Sequence, residues 1–217
     1  MAPARADAPL PDLRARYVMR RAQHTEHLEL VRQGNRIVHR FAERGYYETW
    51  KRDARGQLEH VRAFPSEGSS VHYTPGDLRT IGLWPTWDSL ASLLSERERL
   101  ALTAAGDKRS FQRQTARMLK GRLRGQPAQL EWLDSYALPA RMTIGEGDAK
   151  LVVELVELES CDASSCSVGS PTGLRAIEFA DLGDKEYDPF VRKFMARDEH
   201  GRGHDHRAGV FDRPHSH

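Results

Sequence analysis

Between Gln23 and Thr74 apolar and polar positions alternate in short runs rich in Val, Ile, Tyr, Phe and Trp, split by glycine-bearing turns. That pattern predicts strands over about 23–32, 35–42, 46–52, 57–64 and 69–74. The turns Gln33-Gly34-Asn35, Glu43-Arg44-Gly45, Asp53-Ala-Arg-Gly56 and Pro65-Ser-Glu-Gly68 recur about 10 to 12 residues apart, the cadence of hairpins in one sheet. Leu28, Leu30, Ile37, His39 and Phe41 fall on one face and charged residues on the other, which predicts a sheet wet on one side.

Pro75-Gly76, followed by Asp77, reads as the turn that ends this meander. Pro85, Trp87, Leu90, Leu93, Leu94 and Leu100 then recur at helical spacing and predict a helix over about 86–102, which should cover the apolar face. Strand patterning resumes at about 109–119, 126–133, 139–145, 150–159 and 173–180. Asp188-Pro189 announces a second, short helix through Phe190, Val191 and Phe194, with an acid at the N-cap and proline at the first helical position; beyond Ala196 the pattern dissolves. The fold class expected is α+β, mostly β: a long curved antiparallel sheet, a half-barrel, covered by one or two helices.

At 217 residues the chain has room for one good core. We expect a flexible leader over 1–15, a single β-rich domain over 16–197 and a disordered His-rich tail over 198–217. The balance of 33 Lys+Arg against 31 Asp+Glu, with signs interspersed, argues against nucleic acid as a partner. No apolar run is long enough for a transmembrane segment, since Leu151–Leu158 is interrupted by Glu154 and Glu157.

The leader Met1-Ala-Pro-Ala-Arg-Ala-Asp-Ala8 ends in the small-x-small triplets that precede a signal-peptidase cut, and reads as the remnant of an export signal. Cys161 and Cys166, in a polar loop, can close a small disulfide ring in an oxidising compartment. Together these predict a periplasmic or secreted protein.

Candidate chemistry concentrates in the tail, where His200, His204, His206, His215 and His217 form two His-x-His pairs and a single outlier. Imidazoles at alternate positions suit Cu or Ni over Zn, although no such cofactor is required by anything else in the chain. His24, His27, His39, His60 and His72 lie on predicted strands, where a histidine is ordinarily packed or hydrogen-bonded, and no zinc-protease spacing is present. The acids of Asp181-Leu-Gly-Asp184-Lys-Glu186-Tyr-Asp188 do not match a calcium loop; Asp188 reads as a helix cap. Gly121-Arg-Leu-Arg-Gly125 reads as a solvated basic turn. No Gly-x-Ser-x-Gly elbow occurs.

Tyr46-Tyr-Glu-Thr-Trp-Lys-Arg-Asp53, and Pro127-Ala-Gln-Leu-Glu-Trp-Leu-Asp134 leading into Ala137-Leu-Pro-Ala-Arg141, resemble the periplasmic lipoprotein-carrier and lipid-binding family typified by localisation factor A. The likeness is one of order and rhythm over about residues 15 to 185. It implies a half-barrel around an apolar cavity, with Trp50, Phe64, Tyr73, Trp84, Trp87 and Trp132 at that cavity. The function expected is a non-enzymatic cell-envelope carrier for a lipid, an acylated partner or another envelope protein. Metal binding through the tail is the alternative, and a hydrolase using Asp181 or Asp184 a weaker one.

Overall fold

The computed structural model describes residues 10–106, 109–112, 114–161 and 173–201. Its frame is two antiparallel meanders fused along one central strand pair. The first comprises β1 (Leu13–Arg21), β2 (His24–Gln33), β3 (Arg36–Phe41), β4 (Tyr46–Arg52), β5 (Leu58–Phe64) and β6 (Ser69–Tyr73). After a connecting segment with helices α1 (Pro75–Thr80), α2 (Trp87–Ser92) and α3 (Glu96–Leu100) come two short edge strands, β7 (Thr103–Ala104) and β8 (Arg109–Phe111). The second meander runs through β9 (Gln114–Leu123), β10 (Gln126–Leu133), β11 (Leu138–Ile144) and β12 (Leu151–Ser160). β13 (Arg175–Glu178) and helix α4 (Pro189–Gly201) finish the described chain.

The strand order is β13-β6-β5-β4-β3-β2-β1-β12-β11-β10-β9-β7, with β8 also on β9: one large, open, curved sheet that does not close into a barrel. β1 pairs with β12 from Leu13↔Ser160 to Arg21↔Leu151 and so joins the meanders. All pairs are antiparallel except β13 with β6. Two register shifts, at Arg16/Tyr17 against β12 and at Glu131/Trp132 against β11, place Val156 and Ala140 opposite no partner. Such bulges sharpen the right-handed twist and curl the sheet.

Alternation decides which face is buried. On β1, Leu13, Ala15, Tyr17 and Met19 are buried while Arg14, Arg16 and Arg20 point to the wet face. There the arginines are neutralised strand to strand: Arg14, Arg16 and Arg40 share Glu29, Arg16 also meets Glu157, and Arg20 meets Glu154. These pairs are exposed and contribute little each. The inner face carries stability, at roughly 1.5–3 kcal/mol per buried large apolar side chain.

The structure departs from the sequence reading in four places. Strand β1 begins at Leu13, inside the segment assigned to the leader, and its turn Ala22-Gln23 carries a left-handed alanine (φ 50°) in place of glycine. Pro75-Gly76 opens α1: Thr74 accepts from the Asp77 amide, the Asp77 carboxylate accepts from the Thr74 amide, and Pro75 sits at the first helical position. The helix expected over 86–102 is two short helices, because Leu93 turns left-handed (φ 60°) and Ser95 starts a new capping box with Glu98. Finally β9 begins five residues later than expected and runs through Gly121, so the turn there is only Arg124-Gly125, both left-handed.

At the C-terminus Asp188 caps α4 as expected, accepting from the amides of Phe190 and Val191 and from Arg175. The Arg175 hydrogen bonds come first among the contacts that hold its carboxyl down to about 2. The helix continues past Ala196 to Gly201, with Lys193 and Arg197 both paired to Glu67.

Candidate ligand-binding face

Register places the inner side chains of β2–β6 in rows. One row reads Leu30–His39–Glu48–Arg62–Val71 and the next Ile37–Trp50–His60–Tyr73. The second row is a column of rings: Trp50 stacks on His60 at 4.0 Å between centroids, His60 on Tyr73 at 4.9 Å and Tyr73 on Phe179 at 4.8 Å. Flanking the polar row on the other side, Phe64 meets Tyr46, Phe190 and Phe194 at 5.7, 5.4 and 5.8 Å, so α4 is fastened to the sheet by an aromatic cluster.

The polar row between these two aromatic layers is internally neutralised. Arg62 donates to Glu48 Oε1 from Nε at 3.2 Å and from Nη2 at 2.9 Å. Burial pushes the Glu48 carboxyl up, but the charges of Arg62, His60 and His39 outweigh it and hold it down to about 2. Burial pushes His60 down to about 3 in spite of Glu48, and lowers His39 as well. His39 Nε2 donates to Leu90 O of α2 at 2.9 Å, which tethers the covering segment to the sheet. Among the described residues neither ring nitrogen of His60 has a hydrogen-bond partner, nor has Trp50 Nε1. A neutral imidazole with this burial has neither the access nor the basicity of a general base near neutral pH.

A second tether is Arg32, 1% exposed at the end of the inner row Leu28, Leu30, Arg32. It donates to Pro11 O at 2.9 Å, Ala91 O at 3.0 Å and Tyr136 O at 2.7 Å. One guanidinium thereby holds the chain entering β1, the end of α2 and the β10–β11 turn.

Of the six aromatic residues expected at a cavity, Trp50 and Tyr73 share the ring column through His60, and the six do not meet as one group. Trp50, Phe64, Tyr73 and Trp132 are buried at 1–6% exposure and packed ring on ring or beneath Arg99, whose guanidinium lies 5.5 Å from the Trp132 ring. Trp87 is half-buried under Arg52 at 4.6 Å, and Trp84 is 64% exposed, with Arg79 at 5.8 Å. Among the described residues, concavities of about 220, 420 and 610 Å³ lie on the outer face of β9–β12 and the end of β1, and none of the six aromatic residues lines these three.

His72 faces away from His39 and His60 and meets Ser70 at 2.9 Å; His27 pairs with Glu43. Among the described residues no three His, Cys, Asp or Glu side chains converge as a metal would need. His204, His206, His215 and His217 lie outside the described residues, as does the side chain of His200. Cys166 lies outside them too, and Cys161 packs beside Val31 and Val38 on the outer face. Asp181 pairs with Lys185 at 2.7 Å.

Sequence reasoning passed over Arg32, Glu48 and Arg62, although each occupies an inward parity position between apolar neighbours: Leu30 before Arg32, Tyr46 and Trp50 around Glu48, His60 and Phe64 around Arg62. A charge out of place in an alternating strand was the available signal.

No family model matches the chain, and no curated protein matches it in sequence. Among solved structures, PNGF-II is similar with a TM-score of 0.45 and 6% identity, over 82% of this chain and 34% of that one. MucB is similar with a TM-score of 0.42 and 13% identity, over 77% and 60% respectively. The MucA/MucB complex of Pseudomonas aeruginosa is similar at 0.40 and 11%, over 76% and 58%. The chain spans less than two thirds of the length of each. Scores this low leave function to be argued from the chain's own residues.

Proposed function

We propose that this chain is a non-enzymatic binding protein of the cell envelope, which carries an apolar ligand, a lipid or the acyl group of a partner protein, against the inner face of its sheet. The observation that carries the reading is the nature of the cover. The inner face, apolar on either side of the His39–Glu48–Arg62 row, is roofed by three helices of five or six residues each, α1, α2 and α3. Helices so short do not hold themselves in water. The roof therefore depends on its buried leucines, Leu78, Leu83, Leu90, Leu93, Leu94 and Leu102, and on the tethers from Arg32 and His39. An acyl chain that takes over the contacts of those leucines exchanges one apolar burial for another, at a small net cost. Trp84 and Leu100, 64% and 67% exposed on the same segment, give it apolar surface to offer a partner. The Cys161/Cys166 pair supports an envelope location.

Native mass spectrometry of the full chain isolated from its own cell envelope tests this. The expected result is a retained lipid-sized mass at one per protein, unaffected by removal of residues 202–217. No retained organic mass, together with no saturable binding of a fluorescent fatty acid, overturns it. Stoichiometric copper or nickel lost with the tail would favour the histidine reading instead.

A further inference from the structure

The outer face changes character across the central strand pair. Around β1–β4 and β12, Arg14, Arg16, Arg20 and Arg40 are paired with carboxylates, as described above. Farther along, register aligns Lys120–Gln129–Thr143–Val152–Arg20 in one row across β9, β10, β11, β12 and β1. The row beside it reads Met118–Glu131–Arg141–Glu154. In this second row both carboxylates are already engaged: Glu131 by Arg109 at 2.9 Å and Glu154 by Arg20 at 2.8 Å. Arg141 stands between them with no ion-pair partner among the described residues.

The concavity of about 220 Å³ is lined here by Arg109, Met118, Gln129, Glu131, Arg141, Thr143 and Lys150. Lys150, also without an ion pair among the described residues, lines all three outer-face concavities. Two uncompensated cations thus face one depression whose carboxylate is spoken for, with the Gln129 amide and the Thr143 hydroxyl as neutral donors beside them. That charge matches a phosphate monoester or inorganic phosphate, which carries about −1.5 to −2 near neutral pH. A guanidinium fork and an ammonium are the two side chains best suited to it.

The geometry points to a phosphate-binding site on the outer face of β9–β11, with Arg141 and Lys150 as its charged ligands and Gln129 and Thr143 as hydrogen-bond donors. It lies on the opposite side of the sheet from the apolar face and stands independently of the carrier reading. The phosphate can be free or borne by a lipid headgroup, and the two sources are separable.

Calorimetric titration of the full chain with inorganic phosphate at low ionic strength is the test, beside the variants Arg141→Gln, Lys150→Gln and their double, and Arg55→Gln as a control of equal charge change at the distant β4–β5 turn. Flotation with vesicles of phosphatidylcholine alone and of phosphatidylcholine containing phosphatidic acid, whose headgroup is a phosphate monoester, runs in parallel. Saturable one-to-one phosphate binding, weakened at least about tenfold in the double variant and unchanged by Arg55→Gln, supports the site. Binding further tightened on phosphatidic acid assigns the group to a lipid. Absence of saturable phosphate binding, an equal loss in Arg55→Gln, or vesicle binding that survives the double variant overturns it.

Discussion

Replacing Arg32 by methionine probes the joint on which the roof of the inner face depends. The guanidinium makes three hydrogen bonds of 2.7–3.0 Å to backbone carbonyls. Charge-assisted bonds of this kind contribute about 1.5–3 kcal/mol each, so their loss costs roughly 4–9 kcal/mol. Against this stands the cost of burying a cation: desolvation pushes Arg32 down from 12.5 to about 10 in spite of Tyr17 and Asp12, which corresponds to about 3 kcal/mol. The difference centres on a destabilisation of about 3 kcal/mol, or roughly 6–12 °C in Tm for a chain of this size. Urea unfolding followed by tryptophan fluorescence reads it, because Trp50 and Trp132 report from the inner face on both meanders. Arg32→Lys should lose about as much as Arg32→Met, since one ammonium cannot span three carbonyls that come from Pro11, Ala91 and Tyr136. A methionine variant within about 0.5 kcal/mol of the parent, or a lysine variant that restores parental stability, would refute the joint.

Acid should weaken the fold through His60. Its folded value near 3 lies below the ordinary value near 6.5, so the unfolded chain takes up the proton first; stability is full above about pH 6.5 and falls as pH drops towards 3. Between pH 7.5 and pH 5 the loss is about 2 kcal/mol, and His60→Phe, which keeps the ring column, should remove it; an unchanged pH profile in that variant would count against the assignment. Glu48, held near 2, adds a loss of the same sign below about pH 4.5. Glu48→Gln removes the carboxylate that accepts two hydrogen bonds from Arg62 and should cost about 3–5 kcal/mol in urea unfolding; a cost below about 1 kcal/mol would mean the pair is solvated. Gly121→Val should lower Tm by the equivalent of about 1–3 kcal/mol, because an added Cβ would stand 3.0 Å from Leu102 Cδ2 and 3.4 Å from Ala101 O; a neutral result would show that the α3–β7 connection yields freely.

Strand legibility followed the turns. The hairpins bearing glycine between Gly34 and Gly68 could be read because each break had a residue suited to a left-handed or tight conformation. Strand β1 alternates as cleanly as any, Leu13-Arg-Ala-Arg-Tyr-Val-Met-Arg, yet its turn at Ala22 has no such mark; its first three residues fall in the expected leader, and no strand is expected over the rest. The roof was misread for a different reason: Leu90, Leu93, Leu94 and Leu102 are buried from a broken path, and burial alone imitates helical spacing when two caps, Thr86 and Ser95, lie within it. The aromatic set was expected at a cavity; where its rings stack depends on register across neighbouring strands, which no single segment encodes. The proposed phosphate site was invisible for the same reason, since Gln129, Arg141 and Lys150 meet only when β10, β11 and the start of β12 come together.

The pairing of β1 with β12 also sets a timetable. Its partners are separated by up to 147 positions, from Leu13 to Ser160, and contacts so distant in sequence make folding slow. Until Ser160 has left the ribosome, β1 has one open edge at what will become the middle of the sheet. A nascent chain in that condition stays unlocked through most of its synthesis: a hazard where other unpaired edges are near, and an advantage for any chain that must be threaded through a membrane pore before it folds.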